Sequence, residues 1–309
     1  MIRCIANKGK ELGMKVDEFL CSSDPTSLDG VIIHDISTAI IDGTTPHTVD
    51  PNYPGIVENI INTGSCWNKE VLKENKKEII ALIHDKNRHY KRAYQFLKGL
   101  GEIELDLLKI GKKCLLETKL APHIHSLTGR LFKKNGSGNE NVRLISTINL
   151  MGSYNLDTFL RLSKNIYLIE DELHTALEYI QRIYEKAKQT RQNMIVSFSP
   201  LFPKNLDAIF FPDLSCTFQI GERDYNGELP NKKYHYINMR RFIDKSQKRE
   251  NKQKIRFANR CCDMLKSGAV ESFEEAAAAH RQLEKFYQKA MNFEQLSFET
   301  ETLLDEIYG

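Results

Sequence analysis

The fold is decided by the stretch PTSLDGVIIHDIS at residues 25–37, because a second version of it, PKNLDAIFFPDLS, stands at residues 203–215. The two versions share Pro, Leu, Asp, Asp and Ser at corresponding positions, and the positions between them are largely apolar in both. Self-similarity at a fixed offset, here 203 − 25 = 178 residues, is the signature of a repeated structural unit. The sequence therefore predicts two copies of one unit.

A second similarity links YKRAYQF at residues 90–96 with YQKAMNF at residues 287–293. Its offset is 287 − 90 = 197 residues, and 197 − 178 = 19. This match predicts about 19 extra residues in the second copy, between the two similar stretches.

Each copy has the same predicted parts, in the same order. A helix near residues 1–12, ended by Gly13, corresponds to one near 176–189. The later parts of the two copies are a strand (15–21 and 193–199), a further strand (38–41 and 216–220) and a long helical region (68–120 and 245–308). Apolar runs that alternate with helices favour buried parallel strands. The prediction is an α/β fold of two repeats with parallel sheets, residues 1–135 and 142–309, each with an appended long helical hairpin.

The beginning of the two copies differs. Residues 165–169, NIYLI, predict a buried strand before the second helix, whereas Met1 already lies inside the equivalent first helix. We therefore expect Met1 to be an internal methionine of a longer ancestral or actual protein, with a strand and a turn encoded upstream.

Composition predicts a soluble, cytoplasmic globular protein. The chain of 309 residues is 41% hydrophobic, and its net charge of +3 is too balanced to indicate nucleic acid by itself. It contains neither an apolar run of about 18 residues nor a signal-peptide pattern, so no membrane contact is expected. The seven cysteines show no C-x-x-C pair, and His123 and His125 have no acidic or cysteine neighbour nearby to complete a metal site.

Polar residues follow two of the predicted strands in the first copy. Asp42 ends the strand 38–41, as does the Walker B carboxylate that positions Mg²⁺; the alternative is a simple turn before Gly43. Ser22, Ser23 and Asp24 leave the neighbouring strand, and a helix cap or an Asx turn is the alternative interpretation for them. His47 lies in the proline-rich loop that follows. Ligands of α/β sheets bind where strands end in this way.

The second copy is predicted not to bind a nucleotide. Its turn before the helix reads EDELHTALE, residues 170–178, without Gly or Lys and with four carboxylates that would repel a triphosphate. The phosphate-binding string G-x-x-x-x-G-K-[ST] is absent from the whole chain.

The stretches CSSDPTSLDGV, residues 21–31, and AIIDGTTPH, residues 39–47, resemble a family of two-repeat bacterial P-loop ATPases, also labelled nucleotide-kinase-like. The resemblance covers nearly the whole chain. It implies two P-loop NTPase-like repeats, ATP and Mg²⁺ as cofactors, and a Walker A loop immediately upstream of Met1. It also implies Asp42 as the catalytic, metal-holding acid, with Ser22, Ser23, Asp24 and His47 as cofactor-binding residues.

The function expected from this resemblance is that of an ATPase or nucleotide kinase that binds Mg-ATP through its first repeat. The main alternative is a non-catalytic scaffold whose helical hairpins bind a protein partner. A further alternative is nucleic-acid binding by the basic segment 240–260, although a solvated helix face is the favoured explanation of that segment.

Overall fold

The computed structural model describes residues 1–44, 48–133, 136–222 and 229–309. The chain divides into two compact units, which we name unit 1 (residues 1–90 and 274–309) and unit 2 (residues 91–273). Each unit combines residues from both predicted repeats. Within the described residues, no helix is both long and apolar enough to cross a membrane.

Each helix and strand that the structure describes in the first half has a counterpart in the second half in the same order, and the second half contains further strands and a further helix. Those of the first half are α1 (Ile2–Glu11), β1 (Val16–Leu20), β2 (Leu28–Ile33), β3 (Thr38–Ile41), α2 (Lys69–Glu74), α3 (Lys76–Cys114) and α4 (Glu117–Leu131). Those of the second half are β4 (Glu140–Val142), β5 (Ser146–Asn149), β6 (Gly152–Asn155), α5 (Thr158–Leu162), β7 (Asn165–Glu170), α6 (Ala176–Gln189), β8 (Met194–Phe198), β9 (Leu206–Phe211), β10 (Cys216–Ile220), β11 (Lys233–Asn238), α7 (Lys245–Glu250), α8 (Lys252–Ala290) and α9 (Phe293–Tyr308). The strands predicted at 15–21, 38–41, 165–169, 193–199 and 216–220 are all present.

Local geometry repeats along with the order of elements. The turns after β2 and β9 each end in a serine with positive φ, 51° at Ser37 and 44° at Ser215. Helices α3 and α8 both contain 39 residues and begin 252 − 76 = 176 residues apart. The offset of 197 is therefore wrong, since residues 90–96 lie inside α3 whereas 287–293 run across the end of α8. Alanine and aromatic residues recur on many amphipathic helices, which explains the false match.

The sheet of unit 1 is antiparallel, with strand order β1-β2-β3. The parallel sheet predicted for the first repeat is therefore wrong for these strands. Residues 21–27 and 34–37 are the connections, and both are too short for the crossover of a dozen or more residues that parallel neighbours need.

The main sheet of unit 2 is mixed, with strand order β11-β7-β10-β9-β8-β4. Strand β7 runs parallel to β10 and β11, β4 runs parallel to β8, and β9 is antiparallel to both of its neighbours. The fold is therefore mixed α/β. Helix α6 covers this sheet with Tyr179, Ile180 and Ile183, which are fully buried and share one helical face.

The last helix of each half packs in the unit that contains the other half's sheet. In unit 1, Leu304 and Ile307 of α9 pack against Ile5 of α1 and Val31 of β2. In unit 2, the helix that packs beside α6 in the core is α4, through Leu120, Ile124 and Leu127.

The last helix of each half is thus exchanged between the two units. Backbone hydrogen bonds connect the two halves of the chain in the same way in both units. In unit 1, the Asn68 N–H donates to the Ala290 carbonyl over 2.7 Å, and the Asn292 N–H donates to the Cys66 carbonyl over 2.8 Å. In unit 2, the Asp244 N–H donates to the Cys114 carbonyl and the Leu116 N–H to the Phe242 carbonyl, over 2.8 and 2.7 Å. Each short cross-connection joins one half of the chain to the other.

The helical hairpins predicted at 68–120 and within 245–308 are wrong, because the long helices of the two halves of the chain pair with each other. Helix α3 continues without a proline from Lys76 to Cys114, so it does not fold back on itself. Its antiparallel partner is α8. In unit 2, Leu100 and Leu107 of α3 form one core cluster with Ile255 and Cys262 of α8.

Candidate functional site

Strands β1 and β3 end at the same edge of the unit 1 sheet. Both are antiparallel to β2, with Leu20 paired to Leu28 and Ile41 paired to Gly30. The Asp42 N–H then donates to the Asp29 carbonyl over 2.7 Å. The loop 21–27 and the residues 42–44 therefore lie side by side, and we name this region the first-repeat edge.

Asp24 organises the loop after β1. Its Oδ1 accepts hydrogen bonds from the Thr26 N–H at 3.0 Å and the Thr26 hydroxyl at 2.7 Å, while Oδ2 accepts from the Ser27 hydroxyl at 3.0 Å. The hydrogen bond from the Thr26 hydroxyl is the largest contribution that holds the pKa of Asp24 below its usual value. The Asx-turn interpretation is thus confirmed for Asp24. Ser22 is exposed and Ser23 half-buried in the same loop.

Asp42 also forms a local turn, with a half-buried side chain. Its Oδ1 accepts from the Thr44 N–H at 2.9 Å and its Oδ2 from the Thr44 hydroxyl at 3.0 Å. A carboxylate oxygen has two lone-pair positions, so each oxygen retains one acceptor site. His47, the fifth residue predicted for the site, lies outside the described residues.

Helix α1 begins at the first-repeat edge, where the Arg3 guanidinium donates a hydrogen bond to the Thr26 carbonyl. Among the residues that the structure describes, no side chain caps this helix, and its first turn contains no acid. The first N–H groups of a helix lack intrahelical acceptors and carry partial positive charge. The edge therefore combines the first turn of α1 and the Arg3 guanidinium with the carboxylates of Asp24 and Asp42.

Apolar side chains fill the equivalent edge of unit 2. Adding 178 to Ser23, Asp24 and Asp42 gives Leu201, Phe202 and Ile220. Phe202 is 6% exposed, and these three residues form a cluster with Leu108 of α3 and Leu177 of α6. In this region, the second-repeat edge, apolar side chains stand where the first-repeat edge has polar ones.

The start of α6 is occupied by the chain's own carboxylate. Asp171 accepts hydrogen bonds from the Ala176 N–H through Oδ1 and from the His174 N–H through Oδ2, both at 2.8 Å. An anion-binding position is thereby filled internally. The sequence predicted that this turn repels phosphate, but it did not show that Asp171 itself takes the place of an anion.

Glu172 of the same turn is bound by two cations that are distant in sequence. The Arg240 Nε lies 2.8 Å from Oε2, and Lys248 donates to Oε1. Burial acts to raise the pKa of Glu172, but the hydrogen bonds from Lys248 and Arg240 outweigh it and the pKa is lowered. These pairs stabilise the turn in its present conformation.

We expect Asp171→Ala to lower the free energy of unfolding by about 1–2 kcal/mol, because two N–H groups at the start of α6 lose their acceptor. Urea denaturation measures the change. Asp157→Ala is the control: Asp157 precedes α5 without capping it, and its contact with Arg161 is an exposed ion pair worth less than about 1 kcal/mol. Equal effects at both positions would contradict the capping role.

The described residues contain no cluster of three or more His, Cys, Asp or Glu side chains able to hold a metal ion. The carboxylate oxygens of Asp42 are nevertheless the donor type that Mg²⁺ prefers, and Mg²⁺ commonly takes only one or two protein carboxylates when phosphates and water complete its shell. The donor chemistry of Asp42 therefore fits magnesium in the company of a phosphate ligand.

Comparison of the chain with family models, curated proteins and solved structures yields no match.

Proposed function

We propose that the first-repeat edge binds a magnesium nucleotide and that the protein is an ATPase or nucleotide-kinase-like enzyme acting through this edge. The difference between the two edges supports the proposal. The first combines the Arg3 guanidinium with the carboxylates of Asp24 and Asp42. The second has Asp171 at the helix start and a cluster around Phe202 in place of those carboxylates. One repeat is built for a polar ligand and the other for stability.

Each group at the first-repeat edge has a distinct role in this proposal. Asp42 holds Mg²⁺, directly or through water, and bound Mg²⁺ neutralises charge that develops on the phosphates. The first N–H groups of α1 and the Arg3 guanidinium attract the phosphate end of the ligand. The turn hydrogen bonds from Thr44 keep the Asp42 carboxylate oriented before the ligand arrives.

The proposal includes a phosphate loop, which would follow a strand paired with β3. In unit 2, β10 pairs with β9 on one side and β7 on the other, and β7 leads through Asp171 into α6. Within the described residues, β3 pairs with β2 alone. A strand beside β3 would carry its following loop to the start of α1. Because residues 1–309 lack the G-x-x-x-x-G-K-[ST] string, we expect them to bind nucleotide weakly and to hydrolyse it slowly at most.

Photolabelling tests the proposal on the 309-residue chain. With 8-azido-ATP and saturating Mg²⁺, we expect label in peptides from residues 15–44 and none in residues 165–202. Asp42→Asn should reduce the labelling at least tenfold, since an amide oxygen is a poor Mg²⁺ ligand. Asp213→Asn is the matched control: Asp213 corresponds to Asp35 and accepts a 2.8 Å hydrogen bond from Asn193, which asparagine can also accept.

Two results would reject the assignment. Labelling of the second-repeat edge would show that Asp171 does not exclude an anion. Equal labelling of wild type and Asp42→Asn would leave Asp42 as a turn residue only, and the scaffold function would then be the better explanation.

A further inference from the structure

A groove of about 1130 Å³ lies in unit 2, between α4 and the segment that follows β11. Its volume lies slightly above the range of about 300–1,000 Å³ that is usual for small-molecule sites. The basic side chains that line it are those of Lys119, His123, Arg240, Arg241 and Lys245. We name this region the α4–β11 groove.

Its positive charge is only partly compensated. Arg240 is paired with Glu172, as described above. Lys119, Arg241 and Lys245 make no ion pair within the part of the chain that the structure describes, and their side chains are exposed. Three cations without an ion-pair partner therefore share this concave surface with the carboxylate of Asp244, whose Oδ1 accepts hydrogen bonds from the Ser246 and Gln247 N–H groups at the start of α7.

The ring of Phe242 forms an aromatic floor beneath the cations of the groove, and it strengthens their electrostatic attraction for an anion. The Arg241 guanidinium carbon lies 5.7 Å from the centre of the Phe242 ring, and the His123 ring centre lies 5.2 Å from the same ring. Phe242 is 3% exposed, so the floor excludes water and the effective dielectric constant there is lower than in bulk water. His123 Nε2 shares a 3.1 Å hydrogen bond with the hydroxyl of buried Tyr179, which fixes the imidazole in place.

His123 lies on helix α4, so the alternation of His123 and His125 does not belong to a strand. Burial holds the pKa of His123 below its usual value, and the positive charges of Arg241 and Arg130 act in the same direction. An anion bound between Arg241 and His123 would reverse the effect of those charges.

The corresponding region of unit 1 keeps the counterpart of Lys245, which is Lys69 at an offset of 176, but has no cation at the counterparts of the other four basic residues. At an offset of 176, Lys119 corresponds to Gln295, His123 to Glu299, Arg240 to Gly64 and Arg241 to Ser65. The Ser65 hydroxyl donates to Glu299 Oε1 over 3.3 Å, so an acid and a hydroxyl stand where unit 2 has an imidazole and a guanidinium. Asn62 and Asn238 make the same turn-capping hydrogen bond in the two units, which verifies the correspondence.

We infer that the α4–β11 groove binds a small ligand that carries phosphate groups. A monocarboxylate would neutralise only one of the three unpaired cations, whereas a diphosphate carries two to three negative charges. Arginine offers the planar, forked donors that phosphate oxygens accept. The remaining cations of segment 240–260 lie on α7 and α8 outside the groove lining, so the charge converges on a small ligand rather than following an extended nucleic-acid backbone.

Calorimetric titration without Mg²⁺ tests this inference with pyrophosphate and ADP as probes and citrate as a carboxylate control. Removing Mg²⁺ and including Asp42→Asn separates this groove from the first-repeat edge. We expect both phosphate probes to bind wild type and Asp42→Asn equally. Tighter binding of ADP would assign a nucleoside diphosphate, and equal affinity would assign the diphosphate group alone.

The double variant Lys119→Gln, Arg241→Gln should weaken pyrophosphate binding at least tenfold. Arg249→Gln, which removes an exposed cation of α7 outside the groove lining, is the matched control and should leave it unchanged. Nuclear magnetic resonance titration of His123 should show its pKa rising when pyrophosphate is present.

Several outcomes would overturn the inference. One is absence of binding at millimolar pyrophosphate; another is binding of citrate as tight as that of pyrophosphate. Equal losses in the double variant and in Arg249→Gln would show diffuse surface attraction. Single-stranded oligonucleotide binding that pyrophosphate fails to displace would indicate a nucleic-acid surface instead.

Discussion

Replacing Gly111 by alanine is expected to lower the free energy of unfolding by about 2 kcal/mol or more. Gly111 lies near the end of α3, directly over the turn that precedes α6. A Cβ atom built on it would lie 2.4 Å from the Leu173 carbonyl oxygen and 2.8 Å from the Thr175 methyl group. The oxygen belongs to the backbone of a turn that Asp171 and Glu172 hold in place, so it cannot move aside at low cost. This strain exceeds the roughly 1 kcal/mol that alanine gains over glycine in a helix.

Gly129→Ala is the matched control, because Gly129 is an exposed residue of α4 whose added Cβ would have no atom within 4 Å. There the change should raise the free energy of unfolding by up to about 1 kcal/mol. Denaturation in urea measures both variants. If Gly111→Ala were as stable as Gly129→Ala, α3 would not pack on the turn as described.

The sequence was sufficient to predict several of the strands and the recurrence of their order in the second half of the chain. The strand around Val196 and the one ending at Ile41 are short apolar runs between turn residues, and both form where predicted. The predicted strand direction in the first repeat is wrong because apolar runs alone do not reveal whether strands are parallel or antiparallel. The short connections 21–27 and 34–37 contained the information, since only antiparallel neighbours can be joined by so few residues.

The exchange of helices was not predictable from local sequence. Leu120 and Leu127 give α4 the same kind of apolar face that Leu304 and Ile307 give α9. Such a face shows that a helix is covered, but it does not show which core covers it. Which core covers each helix depends on α3 and α8 each continuing as one helix of 39 residues, and on backbone pairing between residues far apart in the chain.

The candidate site divides in a similar way. Strand ends and turn residues were enough to predict that Asp24 and Asp42 lie at one edge. The role of Asp171 as a cap required knowledge of the turn geometry, where Leu173 and His174 both have positive φ. The partners of Glu172, Arg240 and Lys248, follow it by 68 and 76 residues and belong to elements that only the fold brings near it.

The strongest test of the packing of α9 against the first-half sheet is Leu304→Asp. We expect this substitution to lower the free energy of unfolding of unit 1 by about 3 kcal/mol or more. The substitution removes an apolar contact with the core formed by Ile5 and Val31 and places a carboxylate beside it. Hydrogen exchange measured by mass spectrometry should show loss of protection in α1 and β2, although these elements lie more than 250 residues before Leu304 in the sequence. Strands β8 and β9 of unit 2 should keep their protection.

Phe298→Asp serves as the control within the same helix, because Phe298 is 69% exposed and leaves no core contact behind. It should change protection in neither unit, since an exposed aspartate in α9 needs no partner. If Leu304→Asp instead increased hydrogen exchange in β9, helix α9 would pack on the sheet of its own repeat. The packing of α9 in unit 1 would then be wrong. If α1 and β2 alone lost protection, residues from opposite ends of the chain would share one core, and the unit that contains Asp42 would depend on the second half of the sequence for its stability.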